Sequence, residues 1–136
     1  MDVVVLIGRI LFAAVFLSGG VGHFTKTAYL AGYAESKGIP LARPAVLLSG
    51  AWQVVASLLV LLGAWADLGA LLLAVFVLPT AFLMHNFWTE TDPAQRANEQ
   101  IHFHKDLSLG GAALMLFALF NTFGDQIGLQ LTGPLL

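Results

Sequence analysis

The chain has 136 residues, of which 58% are hydrophobic and only 10% charged, against about 25% charged in an ordinary soluble domain. A soluble fold of this length would leave much of that apolar surface in water; a bilayer removes the problem, and the mean hydropathy of +0.84 agrees. The net charge of −2 excludes a nucleic-acid binder or a polybasic lipid anchor, and the absence of cysteine excludes disulfide exchange, persulfide transfer, iron–sulfur ligation and c-type haem attachment.

Crossing the hydrocarbon core takes about 20 apolar residues in a helix. Four segments approach that length: 3–22, 44–64, 68–87 and 105–123. Backbone groups in lipid must bond within their own segment, so spanning forces these stretches to be helical. The expectation is an all-α integral membrane protein, a four-helix bundle forming a single domain over 1–136. The first span lacks a basic leading region and a small-residue cleavage site, so it reads as a retained helix. It carries Arg9, about six residues or roughly 9 Å inside it. Ala14, Ser18 and Gly22 recur at the four-residue spacing of close helix packing, as do Ala66, Ala70 and Ala74 in the third span.

The connections differ in kind. Between the first two spans, Thr25 or Thr27 can cap a short helix and Gly38 with Pro40 can end it. Tyr29, Leu30 and Tyr33 share a face of that helix, which is an interfacial pattern. Trp65-Ala66-Asp67 makes a very short turn, so the second and third spans are antiparallel neighbours. Asp92-Pro93 is an N-cap with proline at the first helical position, and starts a helix able to run into the fourth span.

Four spans place every histidine at one membrane level. With the side of the N-terminus called B and the other A, His23, His85, His102 and His104 all fall on side A, with Trp88 beside them. Gln53 lies beneath, roughly 14 Å in from the side-A end of the second span. Lys26, Lys37, Arg43, Arg96 and Lys105 also belong to side A and only Arg9 to side B. The positive-inside rule then predicts a cytoplasmic side A with both termini outside. On side B, Asp67 and Asp125 are the candidate partners of the Arg9 guanidinium, a charge that is costly in lipid unless it snorkels or pairs.

A metal centre is one reading of the histidines, since Glu99-Gln100-Ile101-His102 matches the Glu-x-x-His element of di-iron bundles. Those need two such elements and a glutamate from each of two further helices; one element is present, so no metal site is expected. A b-type haem would need two facing axial histidines, and His23 and His85 lie near the interface. A quinone fits better: it needs a largely apolar pocket with few polar groups, histidine to bond its carbonyl, and aromatic faces such as Trp52, Phe87 and Trp88 beside its ring. The plain alternative is that these are interfacial histidines, paired with Glu99 and Asp106, beside an aromatic belt.

These residues resemble the DoxX family of small bacterial membrane proteins, over about 8–117. Gly8-Arg9 is similar to that family's glycine–arginine early in the first helix, and Gly38-Ile39-Pro40 to its glycine–aliphatic–proline before the second. Gly50 with Gln53, then Leu61-Leu62-Gly63, resembles its second-helix signature. His85-Asn86-Phe87-Trp88 resembles its histidine-x-phenylalanine-tryptophan, and the stretch 100–106 resembles the approach to its fourth helix. Two positions depart: Gln53 stands where relatives often carry glutamate, which removes a relay carboxylate there, and Asp106 where they carry asparagine, a relocated charge beside Lys105. The resemblance implies a four-helix fold and a link to redox biology. Related proteins occur as membrane subunits of a thiosulfate:quinone oxidoreductase, and others resemble partners that hold superoxide-detoxifying and sulfur-handling enzymes at the membrane. The expected role is a bacterial inner-membrane subunit of a larger redox or respiratory complex, able to bind quinone. A stand-alone membrane oxidoreductase or small-molecule carrier, with the chain as a homo-oligomer, is the alternative, and a purely structural accessory subunit the third.

Overall fold

The computed structural model describes residues 1–136, and it is all helical. Helix α1 spans Asp2–Thr25, α2 Thr27–Ser36, α3 Ala42–Leu62, α4 Ala66–Met84 and α5 Pro93–Phe123. Helices α1, α3, α4 and α5 are each long and apolar enough to cross a membrane. The expected N-cap of α5 is present: the Asp92 carboxylate accepts from the Gln95 amide at 2.8 Å, with Pro93 in the first turn. At 31 residues α5 is about 46 Å long, more than a hydrocarbon core of roughly 30 Å requires. Its first turns therefore stand at side A as well as crossing.

Two junctions differ from the sequence expectation. Neither Thr25 nor Thr27 caps α2, because the chain passes from α1 to α2 through Lys26 alone and both hydroxyls bond carbonyls of the preceding turn, Val21 and His23. The end of α2 is as expected: the helix stops just before Gly38, which adopts φ +78°. The turn between α3 and α4 lies at 63–65 rather than 65–67: Gly63 takes φ +65°, Trp65 takes φ +52°, and Ala66 and Asp67 already belong to α4.

Helix α3 sits between α1 and α4; α5 packs along α4 and meets α1 and α3 in the core, and α2 lies against α3 at side A. The core joins Phe16, Ala56, Val60, Leu73, Ala74, Val77 and Ala113. As expected, Ala66, Ala70 and Ala74 are buried. The stripe Ala14, Ser18 and Gly22 is not the packing face of α1: Ala14 and Ser18 are exposed, and the buried face is Arg9, Ala13, Phe16 and Gly20. Gly20 meets α3 at Gly50. A methyl on Gly50 would lie 2.7 Å from the His23 Cβ, and one on Gly20 2.8 Å from a Val54 methyl. Gly50→Ala is expected to push α1 and α3 apart at a cost of about 1–3 kcal/mol, whereas Gly22→Ala, which meets nothing within 4 Å, is expected to be neutral or better. Melting of the two detergent-solubilised variants side by side checks this; equal melting would contradict the close α1–α3 contact.

Candidate functional site

At side A, residues of α3 and α4 face each other across a space that α2 and His23 of α1 also line. The result is a cavity of about 560 Å³ lined by 17 residues, 12 of them hydrophobic, so its few polar groups decide what it can hold. These include His23, Tyr33, Ser49, Thr80 and His85.

His85 follows the last residue of α4, where the helix stops and a 3₁₀ turn, Phe87–Thr89, begins. Its Nδ1 donates to Glu99 Oε2 at 2.8 Å. A carboxylate only accepts, so this bond fixes the ring hydrogen on Nδ1. Nε2 lies 3.6 Å from Asp106 Oδ2, beyond hydrogen-bonding length, and is left as the free nitrogen. Glu99 and Asp106 are 3% and 5% exposed, so the ring stands between two buried carboxylates. The other oxygen of Glu99 is 2.8 Å from the Tyr33 hydroxyl, which is also 2.8 Å from the Met84 carbonyl. Burial first, then the bond to Glu99, holds the Tyr33 phenol well above its ordinary value, so Tyr33 stays a neutral donor. Gln95 adds a bond to Glu99 at 3.1 Å, and Lys37 ties α2 to the α4–α5 connection through Asn86 and Glu90 at 2.8 and 2.7 Å. Lys105 reaches Asp106 at 3.5 Å from a half-exposed position. This cluster can orient His85, take up a proton at Nε2 and stabilise the positive charge that results.

The other expected residues divide into three groups. His102 stacks on His85, with ring centroids 5.1 Å apart. His23 lines the cavity from α1, but its nitrogens are occupied: Nδ1 bonds the Val46 carbonyl at 3.0 Å and lies 2.9 Å from Ser49 Oγ, and Nε2 faces the Gln53 amide at 3.2 Å. Gln53, 5% exposed, thus acts through His23 rather than in the cavity. That saturation leaves His23 unable to serve as an axial haem ligand opposite His85. Trp88 and His104 stand outside the cavity. Trp88 packs at 5.3 Å on Phe87 and 5.6 Å on Phe103, and His104 lies 5.6 Å from Phe103, a belt on the outer surface of α5. Of the three flanking aromatics expected, only Trp52 lines the cavity. No group of three or more His, Asp or Glu side chains is arranged to hold a metal ion.

Tyr33 was missed as a site residue, since its face of α2 reads as interfacial. The structure turns Tyr33 and Leu30 into the cavity and leaves Tyr29, at 74% exposure, outside. The signal available was on α5: Glu99, His102 and Asp106 fall at i, i+3 and i+7, one polar face at the start of an apolar span.

Side B corrects the expected ion pair. Arg9 is 1% exposed and pairs with neither Asp67 nor Asp125. Its guanidinium donates to three carbonyls: Val60 at 2.8 Å, Leu61 at 2.7 Å and Leu129 at 2.7 Å. The first two lie in the last turn of α3, where carbonyls have no partner within the helix and a cation suits the helix dipole. Asp67, fully buried, accepts from the Leu135 and Leu136 amides at 2.8–3.1 Å. Asp125 is exposed, in a 3₁₀ turn after α5. Each buried charge therefore binds the segment 127–136, which folds across side B.

The DoxX family's sequence profile matches residues 4–86. The chain is 31% identical over 114 residues to the inner membrane protein YphA of Escherichia coli, covering 84% of this chain and 81% of that one. It is 34% identical over 116 residues to the inner membrane protein YqjF of the same organism, covering 85% and 82%. No solved structure matches it. With a matching profile across its first four helices, two relatives above 30% identity and four membrane-length helices, the chain belongs to the DoxX family of membrane proteins.

Proposed function

We propose that this chain is a bacterial inner-membrane subunit of a redox assembly and that the side-A cavity binds a quinone. The observation that carries the reading is His85: one nitrogen held by buried Glu99, the other free, on a ring at the edge of an apolar cavity of about 560 Å³. Small-molecule sites run from about 300 to 1,000 Å³ and pair apolar walls with a few placed polar groups. A bound quinone would supply two-electron, two-proton redox chemistry. The chain's own part is narrower. His85 Nε2 can accept from a quinol hydroxyl or, once protonated, donate to a quinone carbonyl; Glu99 and Tyr33, whose one hydrogen is engaged with Glu99, keep the His85 ring in place, and the apolar wall keeps water out.

The partnered role rests on mass. Most of these residues lie in the four membrane-length segments and the rest form short connections, so chemistry on a nucleotide or sulfur substrate would fall outside them, to a partner. The names of the two relatives support the inner membrane, and the basic residues on side A support a cytoplasmic side A with both termini outside. Reporters active only in the cytoplasm, fused at either terminus, are expected to stay silent; activity at both ends would reverse the orientation.

Gentle solubilisation of native membranes tests the whole reading. A larger complex that carries this chain and extractable quinone is expected. A monodisperse homo-oligomer carrying quinone would favour a stand-alone carrier or oxidoreductase, and a complex with no quinone a structural accessory role.

A further inference from the structure

The cavity is open on its bilayer side. Leu48 and Trp52 of α3 and Val75 and Leu83 of α4 all line it, yet they are 71%, 42%, 54% and 54% exposed on the bundle surface. Trp52 and Val75 lie roughly 14–15 Å below the side-A ends of their helices at 1.5 Å per residue. The window thus reaches from head-group level to about the middle of a hydrocarbon core roughly 30 Å thick. The hydrogen-bonding groups are at its upper end, where His85 ends α4 and Tyr33 reaches the Met84 carbonyl. The lower end is tied shut: the Trp52 indole N–H donates across to the Leu72 carbonyl of α4 at 2.9 Å. Pro79 lies within the α4 wall and has no N–H to offer the Val75 carbonyl one turn below, so the wall is also where α4 is weakest as a helix.

A polar end at head-group level with a side window at hydrocarbon depth suits an amphiphile rather than a water-soluble metabolite. We propose that the ligand is a bilayer-dissolved amphiphile with an oxygen head group at His85 Nε2, beside Tyr33, whose alkyl chain leaves between α3 and α4 beside Val75, above the Trp52–Leu72 tie, and that it reaches the cavity sideways through the lipid. The proposal rests on the reading of this cavity as a ligand site, and narrows it to a class and a route. Alkyl quinones and fatty acids share that chemistry.

Trp52 is a built-in reporter. In a Trp65→Phe, Trp88→Phe background it is the one tryptophan left of three. Protein in phosphatidylcholine vesicles is titrated with a decyl-benzoquinone and, separately, with the same ring lacking the chain, at matched mole fractions in the lipid. Saturable quenching is expected from the decyl compound, with much weaker quenching from the chainless ring. Val75→Phe, which fills the window, is expected to weaken decyl-quinone binding by about tenfold. Val55→Phe, on a position 56% exposed on α3 and outside the cavity, is expected to leave it unchanged. Displacement by palmitate would extend the class to alkyl carboxylates, and failure to displace would confine it to quinones; either result supports an amphiphile. Equal binding of the chainless ring, unaffected by Val75→Phe, would overturn the sideways route and leave the quinone reading standing. No saturable quenching by either quinone would overturn both.

Discussion

Arg9→Leu and Arg9→Glu are both expected to lose most of the folded protein, a cost of about 3–5 kcal/mol, of the size seen when one side of a buried charged contact is removed. From the sequence, leucine should be the milder change, because it removes a charge from lipid. The three carbonyls held by Arg9 remove that difference. Leucine leaves Leu61 and Leu129 without a donor and Val60 with only the Gly63 amide at 3.3 Å, at about 1–3 kcal/mol for each buried unpaired group. Glutamate adds a carboxylate facing the same oxygens. Arg9→Lys is expected to fall between, since one ammonium cannot match a planar fork that bonds three carbonyls from two segments. The same contact explains Gly63: its φ of +65° suits glycine, and a Cβ there would lie 2.6 Å from Arg9 Nη2. Thermal loss of monodispersity in mild detergent measures all three variants. Wild-type melting in Arg9→Leu would show that the carbonyls find other partners and that the side-B seal does not depend on Arg9.

Glu99→Gln is expected to do similar damage to the cavity while barely changing shape. Glu99 accepts from His85 Nδ1, from Tyr33 and from Gln95. Glutamine has a single carbonyl oxygen, so its amide must face at least one of those donors, and a buried mismatch of that kind costs about 1–3 kcal/mol. If the amide turns to His85, the ring loses the bond that fixes its hydrogen on Nδ1. The expected result is at least a tenfold fall in bound quinone with a modest fall in melting temperature. Tyr33→Phe, which leaves the His85–Glu99 bond intact, is expected to lose less of both. Retention of full quinone content in Glu99→Gln would remove Glu99 from the site.

Much of this was legible because bilayer physics is coarse. Span length and hydropathy alone require four helices, and four helices alone bring His23, His85, His102 and His104 to one side. Rotation about each helix axis was harder to read. In lipid, a buried face and a lipid face are equally apolar, so the spacing of Ala14, Ser18 and Gly22 could not be told from the true contact face at Ala13, Phe16 and Gly20. For the same reason Trp88 and His104 could not be separated from the cavity, although both turn outward. Tyr33 is a different case. A ten-residue helix with tyrosines at 29 and 33 gives too short a pattern to show which one turns inward; the deciding partner, Glu99, is 66 residues away. Arg9 was legible as a charge needing a partner. Its partners are backbone oxygens at a helix end and in the irregular segment 127–136, and no side-chain pattern points to either.

The most direct test of the site is the quinone content per chain of protein isolated in native lipid, compared among wild type, His85→Gln and Trp88→Ala. Wild type is expected to carry quinone. His85→Gln, which keeps a polar group of similar reach but cannot take up a proton, is expected to lose most of it, and Trp88→Ala, outside the cavity, to keep it. Quinone-free wild type, or equal quinone in wild type and His85→Gln, would contradict a quinone site at His85 and leave the histidines as an interfacial or partner-facing cluster.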